Sequence, residues 1–187
     1  MPKLPAKVAK KVDKADAAAV PEGGGFKPLP RGKYVGTLQS LEEAEGFFGE
    51  PVWKAVFGDI FSSSGEGAGG KKLFYDLKLP QDVKDMPEDF KVPERYKGKS
   101  REEAWEAIND FHHAKLKGFF EALGYTADTD TDEMVDDEAR GFLTVGVRTI
   151  KSGPNKGNQV NQVYGVEAVP DEVTDMIADL DKDDDAF

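Results

Sequence analysis

The chain has 187 residues, 39% of them hydrophobic and 33% charged, enough for one domain with a real core plus solvated tails. It has no run of about 18 apolar residues, which excludes a transmembrane helix, and its lysine-bearing start lacks the apolar block of a secretory signal. Without cysteine, disulfides and thiolate metal sites are excluded, and a reducing cytoplasm is the expected location.

The net charge of −11 is unevenly spread. Residues 171–187 carry −7 and residues 126–140 carry −6, whereas residues 1–33 carry +5. An acidic total therefore does not argue against a polyanionic ligand, because the potential that a ligand meets is local.

Residues 1–31 read as a flexible basic leader, Lys/Ala-rich and then a Gly/Pro connector, "PEGGGFKPLPRG". A first strand is predicted in "GKYVGTLQSLEEAE" (32–45) and a second in "VWKAVFGDIF" (52–61). The loop "SSSGEGAGG" (62–70) leads to a third strand, "KKLFYDLKL" (71–79), which makes a hairpin with the second. After a proline-punctuated connection, Ser100 and Glu103 form a capping box that opens a helix. Trp105, Ile108, His112, Leu116, Phe119 and Leu123 give it an apolar face, and Gly124 ends it. An acidic loop (126–140) separates this helix from strands at 141–153 and 158–169. The expected class is mainly β. The order β-β-β-α-β-β is that of an OB-fold, a five-stranded Greek-key barrel spanning residues 32–169. The last residues, 170–187, read as a disordered acidic tail.

Enzyme chemistry finds little support. "GEGAGGKK" (65–72) imitates a phosphate-binding loop, but Lys72 stands where Ser or Thr should hold magnesium, and a strand follows instead of a helix. "DTDTDE" (128–133) imitates a calcium loop, with Glu133 in the glycine position and Ala139 where the closing glutamate belongs. His112 and His113 are adjacent, so on a helix they diverge and cannot ligate one metal together. No cofactor, metal or catalytic residue is assigned.

The strands do interleave cations with aromatic rings, the combination that binds single-stranded nucleic acid by tracking the backbone and stacking on bases. The candidate contacts are Lys33, Tyr34, Trp53, Lys54, Lys71, Lys72, Tyr75, Arg148, Lys151, Lys156 and Tyr164. Lys151 and Lys156 lie in "KSGPNKGNQ" (151–159), the loop between the last two strands, which an OB-fold uses to grip oligonucleotides. Trp53, Phe57 and Phe74 serve equally well to fill a barrel. Tyr34, Tyr75 and Tyr164, each with a polar tip, are the better stacking candidates.

"RGKYVGTLQSLEEAE" with "EPVWKAVFGDI", "KLKGFFEALGY", and "GFLTVGVRTIKSGPNKGNQVNQVYGVEAV" together resemble phage single-stranded-DNA-binding proteins. So does an acidic end closing in "DDDAF". The resemblance implies a non-enzymatic, sequence-independent binder that protects single-stranded DNA during phage replication or recombination in the host cytoplasm. It further implies that Asp181, Asp183, Asp184, Asp185 and Phe187 compete with DNA for the groove and recruit a polymerase, helicase or primase. A homodimer is compatible with this reading. The rival readings are a protein-interaction or assembly module on the same barrel, and a metal-dependent nuclease.

Overall fold

The computed structural model describes residues 27–46, 49–68 and 70–184, with side chains as far as Ile177. The fold is mainly β. Strands β1 (Gly32–Glu45), β2 (Pro51–Ser62), β3 (Leu73–Lys78), β4 (Arg140–Thr149) and β5 (Gln159–Glu167) form one antiparallel sheet in the order β3-β2-β1-β4-β5. Four of them, read as β4-β1-β2-β3, have the spatial order of a Greek key. Helix α1 (Arg101–Ala122) lies between β3 and β4 in the chain, as the sequence pattern predicts. The sheet does not close on itself, and β3 and β5 are its two edges. None of the helices among the described residues is long and apolar enough to cross a membrane.

Strand β1 joins the two halves of the sheet. It pairs with β4 from Gly32 to Thr37 and with β2 from Tyr34 to Glu45. Five consecutive residues, Tyr34 to Leu38, are buried, so this stretch is covered on both faces. Register shifts next to Thr37 and Leu38 let the strand bend. Gly36 is required there: a Cβ would come within 2.8 Å of Ile60 and 2.9 Å of Leu143. The core gathers Leu38, Phe57, Leu73, Leu143, Phe119 and Met134. Each such side chain contributes about 1.5–3 kcal/mol by leaving water.

Both ends of α1 are fixed by local chemistry. Ser100 Oγ accepts from the Glu103 N–H at 3.1 Å, and Glu103 Oε2 accepts from the Ser100 N–H at 2.8 Å. At the other end the Gly124 N–H donates to Glu121 O at 3.1 Å and the Tyr125 N–H to Phe120 O at 2.9 Å, a Schellman motif. Gly124 supplies the left-handed backbone this needs, with φ +87°.

Two expectations are corrected. The acidic stretch 126–140 is not all loop: it contains helix α2 (Thr131–Asp136), whose Met134 is fully buried. Asp130 caps it by accepting from the Asp132 N–H at 3.0 Å, so part of the acid run serves as helix-start chemistry. The C-terminal residues are likewise not a disordered tail throughout, because Asp171–Asp184 form helix α3. Ile177 is only 1% exposed, and Val173 one turn earlier is half-buried. Charge counting overlooks this i, i+4 apolar pair, while Asp171 and Glu172 in the first turn suit the helix dipole. The leader up to residue 26, Asp185 and Phe187 lie outside the described residues.

The chain divides into two compact units, one of residues 29–148 with 161–187 and a smaller one of residues 1–28 with 149–160. The described part of the smaller unit is mainly the tip of the β4–β5 hairpin. There the Ile150 N–H donates to Asn158 O and the Gly157 N–H to Ile150 O, both at 2.9 Å. Gly153 and Gly157 take positive φ, and residues 151–159 are all exposed.

Candidate nucleic-acid interface

Alternation along β3 sends Leu73, Tyr75 and Leu77 inward and Phe74, Asp76 and Lys78 outward. On β5, Val163 is buried and Tyr164 points out. The outward residues of these two edge strands line an open groove of about 350 Å³. Phe74 is 64% exposed and Tyr164 55%, two of the four large apolar or aromatic side chains left exposed among the described residues. Arg148, near the end of β4, and Lys115, on α1, supply positive charge to the same groove. Asn161 and Gln162 add amides, and Asp76 is its one carboxylate. Asn161 also ties the chain entering β1 to β5: its Oδ1 accepts from the Leu29 N–H at 2.8 Å and its Nδ2 donates to Leu29 O at 2.9 Å.

The setting of Tyr164 depends on a glycine. A Cβ built on Gly146 of β4 would run into the Tyr164 ring, so the ring lies against bare backbone. One side of the ring is thereby supported while more than half of the residue's surface stays open to solvent. An aromatic ring held on a rigid strand is a suitable platform for a base.

The structure places the predicted contact residues in three ways. Tyr164 and Arg148 come together in the groove. Tyr34 and Tyr75, predicted to stack on bases, are instead core residues, 7% and 8% exposed. Tyr34 shares the face of Leu38 two pleats on, and its hydroxyl donates to Pro30 O at 2.9 Å. Tyr75 packs on Phe119 with ring centroids 6.2 Å apart, and burial pushes its phenol above the ordinary tyrosine value. Trp53 is half-buried and meets Phe120 edge-on at 5.8 Å, which makes it a packing residue too.

The remaining predicted residues are cations. Lys33 is held by Glu167 at 2.7 Å and lies 5.3 Å from the centre of the Phe142 ring. Lys54 is exposed and stands in register with Glu42 on one side and Asp76 on the other. Lys71 is half-buried and Lys72 exposed, both just before β3. Lys151 and Lys156 are exposed in the hairpin tip.

Phe74, weighed from the sequence as a barrel filler, points outward into the groove, and Lys115 is not singled out by the sequence at all. Phe74 was legible: it shares a β3 face with Asp76 and Lys78, which are polar, and that marks the face as outward. Lys115 carried no local signal, since only the packing of α1 brings it to the sheet edge. Among the described residues no group of three acidic or histidine side chains is placed to hold a metal ion. Compared with known proteins, the chain matches no family model and no curated protein sequence.

Proposed function

We propose that this protein binds single-stranded nucleic acid, DNA by preference, without sequence specificity, on a partly open OB-fold barrel. The observation that carries the reading is the groove between the two edge strands, where exposed Phe74 and Tyr164 stand beside Arg148 and Lys115. Aromatic faces accept any base, and cations meet the backbone, so the combination is sequence-tolerant. The Greek-key order of β1 to β4 and the helix between β3 and β4 support the barrel reading. In this reading the acids beyond Asp179, among them Asp181, Asp183 and Asp184, compete with DNA as a tethered polyanion and recruit replication proteins.

The test is fluorescence anisotropy with a labelled deoxythymidine oligonucleotide. Trp53 and Trp105 are poor reporters, because Trp53 packs on Phe120 and the Trp105 indole donates to Asp82 O at 3.0 Å. Binding should weaken with salt at a log–log slope of about −0.7 per neutralised phosphate. Duplex of the same length should bind much more weakly, since its bases are unavailable for stacking. Equal affinity for duplex and single strand, or no binding at low salt, would refute the proposal. Removing residues 181–187 should tighten binding at low salt.

A further inference from the structure

Helix α1 carries an exposed aromatic that neither the core nor the groove uses. Phe111 is 46% exposed in the middle of the helix, and two cations flank its ring. The Arg95 guanidinium lies 5.9 Å from the ring centre and the Lys115 ammonium 5.3 Å. Arg95 also covers Tyr96 at 4.8 Å. Phe111 and Lys115 are one helical turn apart, so they stand on one face. Beside them is a second open cavity of about 380 Å³, lined by Asp76, Lys78, Arg95, Phe111, His112 and Lys115 among others.

This cavity adjoins the groove. Asp76 and Lys115 line both, so Lys115 stands at the junction of two cavities that each contain an exposed aromatic. Among the described residues no carboxylate forms an ion pair with Arg95, Lys115 or Arg148, whereas Lys78 is paired with Glu50 at 2.8 Å. His112 lies among these cations. Burial first, then Lys78, Lys115, Arg95 and His113, hold its imidazole below the ordinary histidine value. Its Nδ1 is buried with no hydrogen-bond partner.

A single exposed phenylalanine is ordinary, and a cation over a ring can be surface decoration. What distinguishes Phe111 is continuity: the sequence Tyr164 and Phe74, then Lys115, then Phe111 and Arg95 alternates aromatic and cation across two adjoining cavities. We propose that Phe111, with Arg95 and Lys115, forms a second stacking subsite that carries a single strand from the sheet-edge groove onto helix α1. The subsite rests on the single-strand reading above. It gives the proline-rich connection before α1 a task, because Arg95 comes from that connection. Asp76, the one carboxylate lining either cavity, repels phosphate at the boundary, so a base or sugar passes there and the phosphates lie toward Lys115.

The experiment measures anisotropy with deoxythymidine oligonucleotides of increasing length, for the full chain and for Phe111→Ala, Arg95→Ala, and Phe74→Ala with Tyr164→Ala. Phe111→Ala should weaken long oligonucleotides by roughly 5- to 150-fold, the loss of one stacked base. It should leave the shortest oligonucleotides unchanged, because the groove alone holds them. Phe74→Ala with Tyr164→Ala should weaken every length. Phe111→Trp should restore affinity, and its added fluorescence should be quenched by long oligonucleotides only. If Phe111→Ala binds all lengths like the unaltered chain, the second subsite is overturned while the groove stands. Polyglutamate displacing long oligonucleotides from the Phe111 surface at equal affinity would make it a dock for acidic protein and overturn the subsite. If the unaltered chain binds no single strand, both readings fall.

Discussion

Gly146→Ala offers a sharp test of the groove, because it leaves every proposed contact residue in place. The added methyl would occupy space now filled by the Tyr164 ring. The ring belongs to an exposed side chain with room to swing away, so the strand itself need not move. Alanine is also no worse than glycine in a strand, which keeps the stability change within about 1 kcal/mol. What is lost is the fixed orientation of the ring. A base stacked on an aromatic side chain is worth about 1–3 kcal/mol, so Tyr164→Ala should weaken a deoxythymidine oligonucleotide by that amount. Gly146→Ala displaces the ring without deleting it, and its cost should therefore approach that of Tyr164→Ala without exceeding it.

The assay is a double-mutant cycle read by anisotropy, with thermal melting as a control. Two residues that act through one ring are strongly coupled, so Gly146→Ala should have no further effect once Tyr164 is alanine. Two results would refute the reasoning. One is unchanged affinity for Gly146→Ala when Tyr164→Ala is weakened. The other is an equal loss from Gly146→Ala in both backgrounds, which would mean that the glycine acts through the fold and not through the ring.

Further predictions concern stability. Gly124→Ala places a Cβ at φ +87° in the Schellman turn, and urea denaturation should show a loss of roughly 1–2 kcal/mol. Ile177→Ala should cost about 2–5 kcal/mol if α3 is packed through that residue, whereas an unpacked tail would register nothing. His112 contributes a pH dependence: its folded pKa is depressed, so the unfolded chain binds the extra proton. The stability tied to neutral His112 is present above the unfolded value near pH 6.5 and is lost as pH falls through it. Urea midpoints measured across that range should diverge between the unaltered chain and His112→Gln; parallel curves would contradict it.

Most of the fold was legible because its signals are local. β1 at Gly32–Glu45, the capping box at Ser100 and the glycine stop at Gly124 follow from patterns a few residues long. The inward and outward faces of β3 were legible too, since Asp76 and Lys78 mark one face as wet and thereby expose Phe74. The same alternation places Tyr34 with Leu38 and sends it inward; a polar hydroxyl is a weaker indicator of exposure than the face it stands on. α2 and α3 were hidden because net charge dominates a composition reading. A single buried apolar residue, Met134, is enough to dock α2 against a core already formed, and Ile177 is buried in α3 without belonging to that core. Lys115 and Arg95 could not be found from sequence, because their use depends on where α1 and its preceding connection settle.

The charge distribution follows the same logic. A net charge of −11 is a property of the whole chain, yet at physiological salt a charge is felt over about 8 Å. Acids are placed where helices begin: Asp132 and Glu133 in α2, Asp171 and Glu172 in α3, Glu102 and Glu103 in α1. There each acid is favoured by the positive end of the helix dipole. Along the sheet, Glu42 and Asp76 stand in register with Lys54, and Glu167 holds Lys33. Arg148, Lys115 and Arg95 form no ion pair with a carboxylate among the described residues, and these three line the two adjoining cavities with the exposed rings and Asp76. The groove is therefore locally positive on an acidic protein.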